Sequence, residues 1–388
     1  MPEPVDAPGF GAGPFGGGGS SPLVRTPVPL LLAAPDKFRG TATAVQVAAA
    51  AAAAARRAGF DVHELALADG GEGTLAALHA ALGGTMRHIV VAGPLGQRIE
   101  ARWLLVDDAG PKLPAPLAGE GPLAVIESAS AVGRALLPFP TGDDPVRANT
   151  AGVGELLLAA RDAGARQAVV AVGGTAATDG GAGAWKAVVD PARLAGMRLV
   201  VAYDVTTTFC DAAAVFGPQK GASADQVAAL SARLEALART YAAETGVEVA
   251  TLLGAGAGGG LAGGLAALGA VLVPGFTLVS SLVGLARHAE AAEIVVTGEG
   301  TVDRTSFEGK VVGGVLGATA GRPALCVAGA VAPGIDPWLT PVVAARAAPV
   351  EVVSLVETVG RKRALHDTVR AVHDVVAAAL TEQAPARG

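Results

Sequence analysis

Ala68-Asp69-Gly70-Gly71-Glu72-Gly73-Thr74 stands between the short apolar run Leu65-Ala66-Leu67 and an Ala/Leu-rich stretch with helical patterning from Leu75 onward. Two carboxylates and three glycines, with no bulky side chain among them, make a loop whose backbone can approach a ligand closely while acids face it. One such loop is ordinarily a turn with a helix cap. Here the pattern recurs. Apolar runs also end in Ala34-Pro35-Asp36, Gly173-Gly174-Thr175-Ala176-Ala177-Thr178-Asp179-Gly180-Gly181, Tyr203-Asp204-Val205-Thr206 and Thr297-Gly298-Glu299-Gly300-Thr301-Val302-Asp303. Open α/β sheets bind ligands beyond the carboxyl ends of their strands, so the repetition predicts one site assembled from several distant segments.

Around that stretch the chain reads as α/β. Val28–Ala33 is a continuous apolar run of the kind found in a strand covered on both faces. The alanine-rich Thr43–Arg57 follows as a helix, with Arg56 and Arg57 suited to its C-terminal dipole and Gly59 to a left-handed cap. A strand near Val62–Leu67, the acidic glycine loop and a helix to about Ala81 complete a βαβ beginning, which implies a parallel sheet. Arg87–Val91, Ile99–Val106 and Leu123–Glu127 read as strands between turns such as Gly93-Pro94-Leu95-Gly96. Asn149 or Thr150 can cap a helix to about Ala163, and Ala168–Val172 and Leu199–Ala202 are further covered strands. Ser223 with Gln226 forms a capping box for a helix whose core face is Val227, Leu230, Leu234, Leu237 and Tyr241. Ile294–Thr297, Ala324–Ala328 and Val350–Leu355 continue the pattern. Leu365, Val369, Val372 and Val376 suggest the apolar stripe of a final helix.

Composition narrows the function. A chain of 388 residues can bury a large core in two or three domains. Its 35 acidic against 29 basic residues argue against a sequence-independent grip on nucleic acid. The two cysteines, Cys210 and Cys326, offer neither a disulfide framework nor a metal cluster, and a reducing cytoplasm is the expected location. Met1–Arg25, rich in Gly and Pro, reads as a disordered tail. Val249–Ala286 carries no charge and is long enough for a membrane span, but the glycine run from Gly254 to Gly260 and Pro274-Gly275 favour a buried loop followed by a helix. No membrane association is expected.

Glycines that expose N–H groups to phosphate oxygens, acids that hold Mg²⁺ or accept a hydroxyl proton, and nearby cations are together what phosphoryl transfer requires. Lys37, Arg39, Lys220, Arg304 and Lys310 stand in or beside these loops and could balance charge or grip a carboxylate. There is no GxxxxGK[ST], no GxSxG elbow, and no histidine inside an acidic glycine loop. A dinucleotide-dependent enzyme stays open as an alternative.

These same loops resemble the bacterial glycerate kinase family that lacks a P-loop. The resemblance is carried by Ala34–Gly40, Ala68–Thr74, Val91–Gly96, Gly173–Gly183, Tyr203–Thr206, Val215–Ser223, Gly254–Gly264, Thr297–Asp303 and Gly309-Lys310, in order, over about Leu30 to Val376. It implies ATP-dependent phosphorylation of D-glycerate, with 2-phosphoglycerate favoured, and Mg²⁺. It also implies two α/β domains: a Rossmann-like domain from 26–75 plus 288–380, with a second α/β domain, 76–287, inserted into it. Tails would occupy 1–25 and 381–388, and the protein would be a monomer or homodimer.

On this resemblance Asp204 is the expected base, with Asp69, Asp179 and Lys220 as further catalytic residues. Asp36, Lys37, Arg39, Gly70, Gly71 and Glu72 would face the substrate. Gly173, Gly174, Gly254, Gly256, Gly258, Glu299 and Lys310 would meet the nucleotide, and Asp69, Glu299 and Asp303 the metal. For each acid the alternative is a turn, a cap or an ion pair. The sequence departs from the family pattern in three places. APDKFRG stands where APDSFKG is usual, the segment between Gly183 and Leu199 is short, and Thr207-Thr208-Phe209 replaces an Asn-Pro-Leu pattern. The last two lie beside Asp204 in sequence, which raises a second reading: a kinase fold that binds nucleotide or organic acid without turnover.

Overall fold

A computed structural model describes residues 28–107, 115–117 and 119–383. The expected tail over 1–25 lies outside the described residues, as do 384–388 of the second. The strands are β1 (Leu30–Ala33), β2 (Asp61–Glu64), β3 (Thr85–Ala92), β4 (Arg98–Val106), β5 (Leu123–Glu127), β6 (Gln167–Val172), β7 (Arg198–Tyr203), β8 (Val271–Pro274), β9 (Ile294–Val302), β10 (Ala324–Val331) and β11 (Val350–Ser354).

The molecule has two α/β domains, each built on its own sheet. The first sheet runs β2-β1-β9-β10-β11, all parallel, and draws on both ends of the chain. Its order within the sheet is 2-1-3-4-5, a doubly wound arrangement whose direction of winding reverses between β1 and β9. A crevice opens at such a reversal, where Asp36 follows β1 and Glu299 lies in the C-terminal half of β9. The second sheet, β3-β4-β5-β6-β7-β8, is formed by the middle of the chain. It is antiparallel at the β3–β4–β5 edge and parallel from β5 to β8.

Every residue of β5 and β6 is buried, as the unbroken apolar runs require, because helices cover both faces. Leu32 and Val295 of the first sheet share one apolar cluster with Val125, Val169 and Val200 of the second. Helices Thr74–Leu82 and Gly275–Leu282 bridge them, through Leu75, Leu78, Leu278 and Val279. The far face of the first sheet is covered by helices Ala44–Arg57 and Thr368–Gln383. Helix Ala224–Thr245 starts at the expected Ser223–Gln226 capping box and buries Leu230, Leu234 and Tyr241 over Phe209.

Three expectations change. The final stripe is shifted: Leu365 and Val369 are 47% and 39% exposed, while Ala371, Val372, Val375, Val376, Ala379 and Leu380 are buried. Leu365 belongs to a separate helix, Arg361–His366, so its phase does not carry into Thr368–Gln383, which itself runs past the expected boundary at residue 380. The strand expected to Leu67 stops at Glu64, although Leu65 and Leu67 still donate to the Ala33 and Pro35 carbonyls. Val249–Ala286 keeps the expected glycine-rich turns and a helix after them, Leu261–Ala267, but adds β8 and helix Gly275–Leu282. Among the described residues no helix is long and apolar enough to cross a membrane.

The short segment after Gly183 comprises helix Ala182–Val188, a tight turn at Val189 and a 3₁₀ turn, Pro191–Leu194, that feeds the start of β7. Asp204 lies at the other end of that strand, six residues long and so about 20 Å away at ~3.3 Å per residue. The closing turn of the segment and Asp204 are close in sequence and remote in space.

Candidate active site

The carboxyl ends of β1 and β9 in one sheet and of β5, β6 and β7 in the other open onto a shared cleft, with the Ala68–Thr74 loop on its floor. Glycine makes this approach possible. A Cβ on Gly173 would lie 3.0 Å from the Cα of Gly71, and one on Gly71 would lie 3.5 Å from an Asp69 oxygen and 3.6 Å from an Asp204 oxygen. The two aspartates therefore flank the same backbone segment. The cleft has two compartments, of about 550 Å³ and 730 Å³, each within the range of small-molecule sites. Both are bordered by Arg39, Glu72, Gly173, Gly174 and Asp204.

The first compartment is lined by Asp36, Lys37, Asp69, Glu299, Asp303 and Lys310, with Val356, Ala364 and Leu365 at one end. Burial pushes the Asp204 carboxyl up to about 6, and the neighbouring Asp69 pushes in the same direction. Burial likewise raises Asp36, and takes Glu299 up to about 7. The Oε1 atom of Glu299 is buried without a hydrogen-bond partner. Lys37, the residue in place of the family's serine, sits with its Nζ 3.7 Å from Asp36 and 3.5 Å from Asp69. Burial alone would lower its pKa, but these two carboxylates outweigh that and hold it raised. The acids thus carry more negative charge than the resident cations offset, an environment made for a further cation.

The second compartment is bordered by Arg102, Arg134, Lys220, Gly258 and Gly259. Lys220 is buried, donates to the Thr175 hydroxyl at 3.3 Å and to the Ala177 carbonyl, and is pulled down by desolvation to about 7.

The description "Glycerate kinase family" matches residues 31–189 and 189–379. Glycerate kinase of Halalkalibacterium halodurans is 35% identical, over 79% of this chain and 87% of its own. Glycerate 2-kinase of Escherichia coli is 33% identical, over 74% of this chain and 80% of its own. A crystal structure of a Salmonella typhimurium protein assigned as glycerate kinase 2 superposes with a TM-score of 0.70 at 30% identity, covering 92% of this chain and 100% of that one.

The chain belongs to the glycerate kinase family. The two-part match meets at Val189, the tight turn within the shortened segment.

Within this kinase the expected site residues divide. Asp36, Lys37, Arg39, Asp69, Gly71, Glu72, Gly173, Gly174, Asp204, Glu299, Asp303 and Lys310 line the first compartment, and Lys220 and Gly258 the second. Asp179 stands apart from both compartments. Its buried carboxylate accepts from the N–H groups of Thr150, Gly181 and Gly183 and from the Thr150 hydroxyl, so it locks the glycine turn and borders neither compartment. Gly70 packs against Gly275 and Ala202. Gly254 lies under the Tyr203 ring and Gly256 against the Thr208 carbonyl, so both serve close packing. Asp303 reaches the cleft wall but caps a 3₁₀ turn, accepting from the Thr305 N–H and hydroxyl at 2.7 Å each; against the cost of burial, these bonds hold its pKa below the usual range. Among the described residues no three His, Cys, Asp or Glu side chains converge closely enough to hold a metal alone. Asp69, Glu299 and Asp303 are thus not a ready-made triad.

Sequence reading missed Glu127. Its Oε1 accepts from the N–H groups of Gly73 and Leu75 at 2.8 Å, tying the end of β5 to the loop that carries Asp69 and Glu72. The signal was available, since Leu123–Glu127 is itself an apolar run ending in an acid. Arg102 and Arg134 carry no comparable signal, standing in a strand and a short 3₁₀ turn.

Proposed function

We propose that the kinase transfers the γ-phosphoryl group of ATP to D-glycerate, at the 2-hydroxyl, in the cytoplasm. The observation that carries this reading is the junction of the compartments, where Asp69 and Asp204 flank the Gly71 backbone against Gly173. In the proposed step the substrate hydroxyl gives its proton to Asp204 as its oxygen bonds to the γ-phosphorus. The bond from that phosphorus to the bridging oxygen breaks, and ADP leaves with the electron pair. Lys37 and Arg39 are near enough to the junction to balance charge on the phosphoryl oxygens, and the bare backbone of Gly71, Gly173 and Gly174 lets the nucleotide approach.

The donor set suits Mg²⁺, which commonly uses one or two protein carboxylates together with substrate phosphates. Asp36 and Glu299, which adjoin one another, would hold it together with the phosphates, and the unpartnered oxygen of Glu299 supports this. When bound, such an ion neutralises charge on the phosphates and orients them.

The second reading, binding without turnover, rested on the shortened segment and on Thr207-Thr208-Phe209. The 3₁₀ turn that closes the segment lies at the far end of β7 from Asp204, and Phe209 is buried in the core, which favours turnover. An assay of ADP release with D-glycerate and Mg·ATP tests the proposal. Turnover is expected, with Asp204→Asn about 10³-fold slower in kcat, a typical loss for a general base. A rate equal to that of the variant would overturn it. Identification of the product by NMR decides the position of the phosphate.

A further inference from the structure

The two compartments differ in charge, and the difference bears on which ligand each holds. Acids dominate the first. A monocarboxylate entering it would meet six acids, Asp36, Asp69, Glu72, Asp204, Glu299 and Asp303, against four cations, Lys37, Arg39, Lys310 and Arg361. A triphosphate that brings a divalent ion reverses that balance. The same compartment ends in the aliphatic side chains of Val356 and Leu365, the latter half exposed, which offers a wall for a flat base.

The second compartment has the opposite character. Among the described residues, Arg102, Arg134 and Lys220 have no acid within ion-pair distance. Of the acids that border it, Glu72 and Asp204 stand where it joins the first compartment, and Glu127, which feels Arg102, is already engaged with two backbone amides. Gly258 and Gly259 both have positive φ, at 64° and 71°, and their N–H groups donate to no acceptor among the described residues. A Cβ on Gly259 would lie 2.8 Å from the Lys220 ammonium. Bare amides and a buried cation therefore adjoin one another, with two free guanidinium groups on the same wall. Planar, bidentate donors of this kind match a carboxylate.

We infer that this basic compartment seats the carboxylate of the acceptor, with Arg102 and Arg134 as its specificity-determining residues, and that the acid-lined compartment takes the nucleotide. The inference rests on the proposed phosphoryl transfer and specifies it. The acceptor is a short hydroxy acid, held by its carboxylate so that the neighbouring hydroxyl meets Asp204, which borders both compartments.

Arg102→Met, Arg134→Met and the double variant test it. Both side chains are exposed, so the fold should tolerate the changes. Calorimetric titration with D-glycerate and, separately, with Mg·ATP reads binding without requiring turnover. Each single variant is expected to weaken D-glycerate about ten-fold or more, the value of a charge-assisted hydrogen bond, with Mg·ATP affinity unchanged. Preference for D-glycerate over glycerol, which lacks the carboxylate, should fall in the double variant. Loss of Mg·ATP affinity with D-glycerate binding intact overturns the assignment, as do equal losses of both, no change in either, or no D-glycerate binding to the unaltered protein. Failure of the unaltered protein to release ADP instead removes the proposed reaction, and the two titrations still decide the compartments.

Discussion

Glu299 and Asp204 are carboxylates placed where ionisation is costly. The Oε1 of Glu299 has no hydrogen-bond partner, and burial, against an opposing pull from the Ser306 hydroxyl, takes the group up to about 7. A carboxyl whose folded pKa exceeds its unfolded value stabilises the native state at low pH. For Glu299 that contribution is complete below the ordinary carboxyl value of 4.5 and is lost as pH rises through about 7. The ligand-free protein should therefore melt at a higher temperature at pH 5 than at pH 7.5. Glu299→Gln, which keeps the shape and removes the ionisation, should raise the melting temperature at pH 7.5 while increasing the Mg²⁺ concentration needed for half-maximal activity. A variant that melts lower at pH 7.5 with unchanged Mg²⁺ dependence would refute both halves. Asp204 gives a separate kinetic signature. Its carboxyl lies near about 6, and a base acts only when deprotonated. The acid limb of kcat/KM should accordingly fall near pH 6, and a limb near 4 would remove Asp204 from that role.

Val189 shows how an element can be shortened without disturbing the site. Helix Ala182–Val188 ends there with φ 63° and ψ −56°, and the Asp190 N–H donates back to the Val188 carbonyl at 2.7 Å. That is a three-residue γ-turn in a conformation a β-branched residue rarely adopts. Its side chain is 79% exposed, so little packing offsets the strain. Val189→Gly should stabilise the protein by about 1 kcal/mol, the relief of backbone strain less the extra freedom of glycine in the unfolded chain. Urea denaturation measures it, and activity should not change because the turn lies at the far end of β7. A loss of stability would show that valine is not strained there. At this scale the sequence was legible wherever one local rule decided the outcome. The Ser223–Gln226 box, the apolar runs of β5 and β6 and the glycine loops after strands all formed as their residues dictate. It was not legible where spatial neighbours decided. Asp179 looks like Asp69 in sequence, both being acids in glycine loops, yet Asp179 is consumed by Thr150 from a distant helix start. Leu365 looks like core until the break at Asp367 turns it towards the cleft.

Two sheets that share one apolar cluster cannot be independent bodies, and the line along which they meet is drawn in glycine. A Cβ on Gly275 would fall 2.0 Å from the Asp69 carbonyl oxygen and 2.4 Å from the Gly70 Cα. Neither is the movable end of a side chain, so the backbone itself would have to shift. Gly275 opens the helix that follows β8, and Asp69 and Gly70 belong to the loop on the cleft floor. Any accommodation must therefore push that loop away from the second sheet, carrying Asp69 from Asp204 and straining the bonds from Gly73 and Leu75 to Glu127. Gly275→Ala should lower stability by about 2–3 kcal/mol, the scale of overpacking in a closed interior, and should reduce kcat well beyond what the lost stability explains. Gly317 provides the comparison. It lies in helix Val311–Ala318 with nothing within 4 Å of its would-be Cβ, so Gly317→Ala should stabilise by about 0.5–1 kcal/mol and leave kcat unchanged. Paired melting curves and rates for the two variants separate a general intolerance of alanine from a specific contact across the cleft floor. If Gly275→Ala were as benign as Gly317→Ala, the two sheets would not be fastened where the acids meet, and the shared crevice would need another explanation.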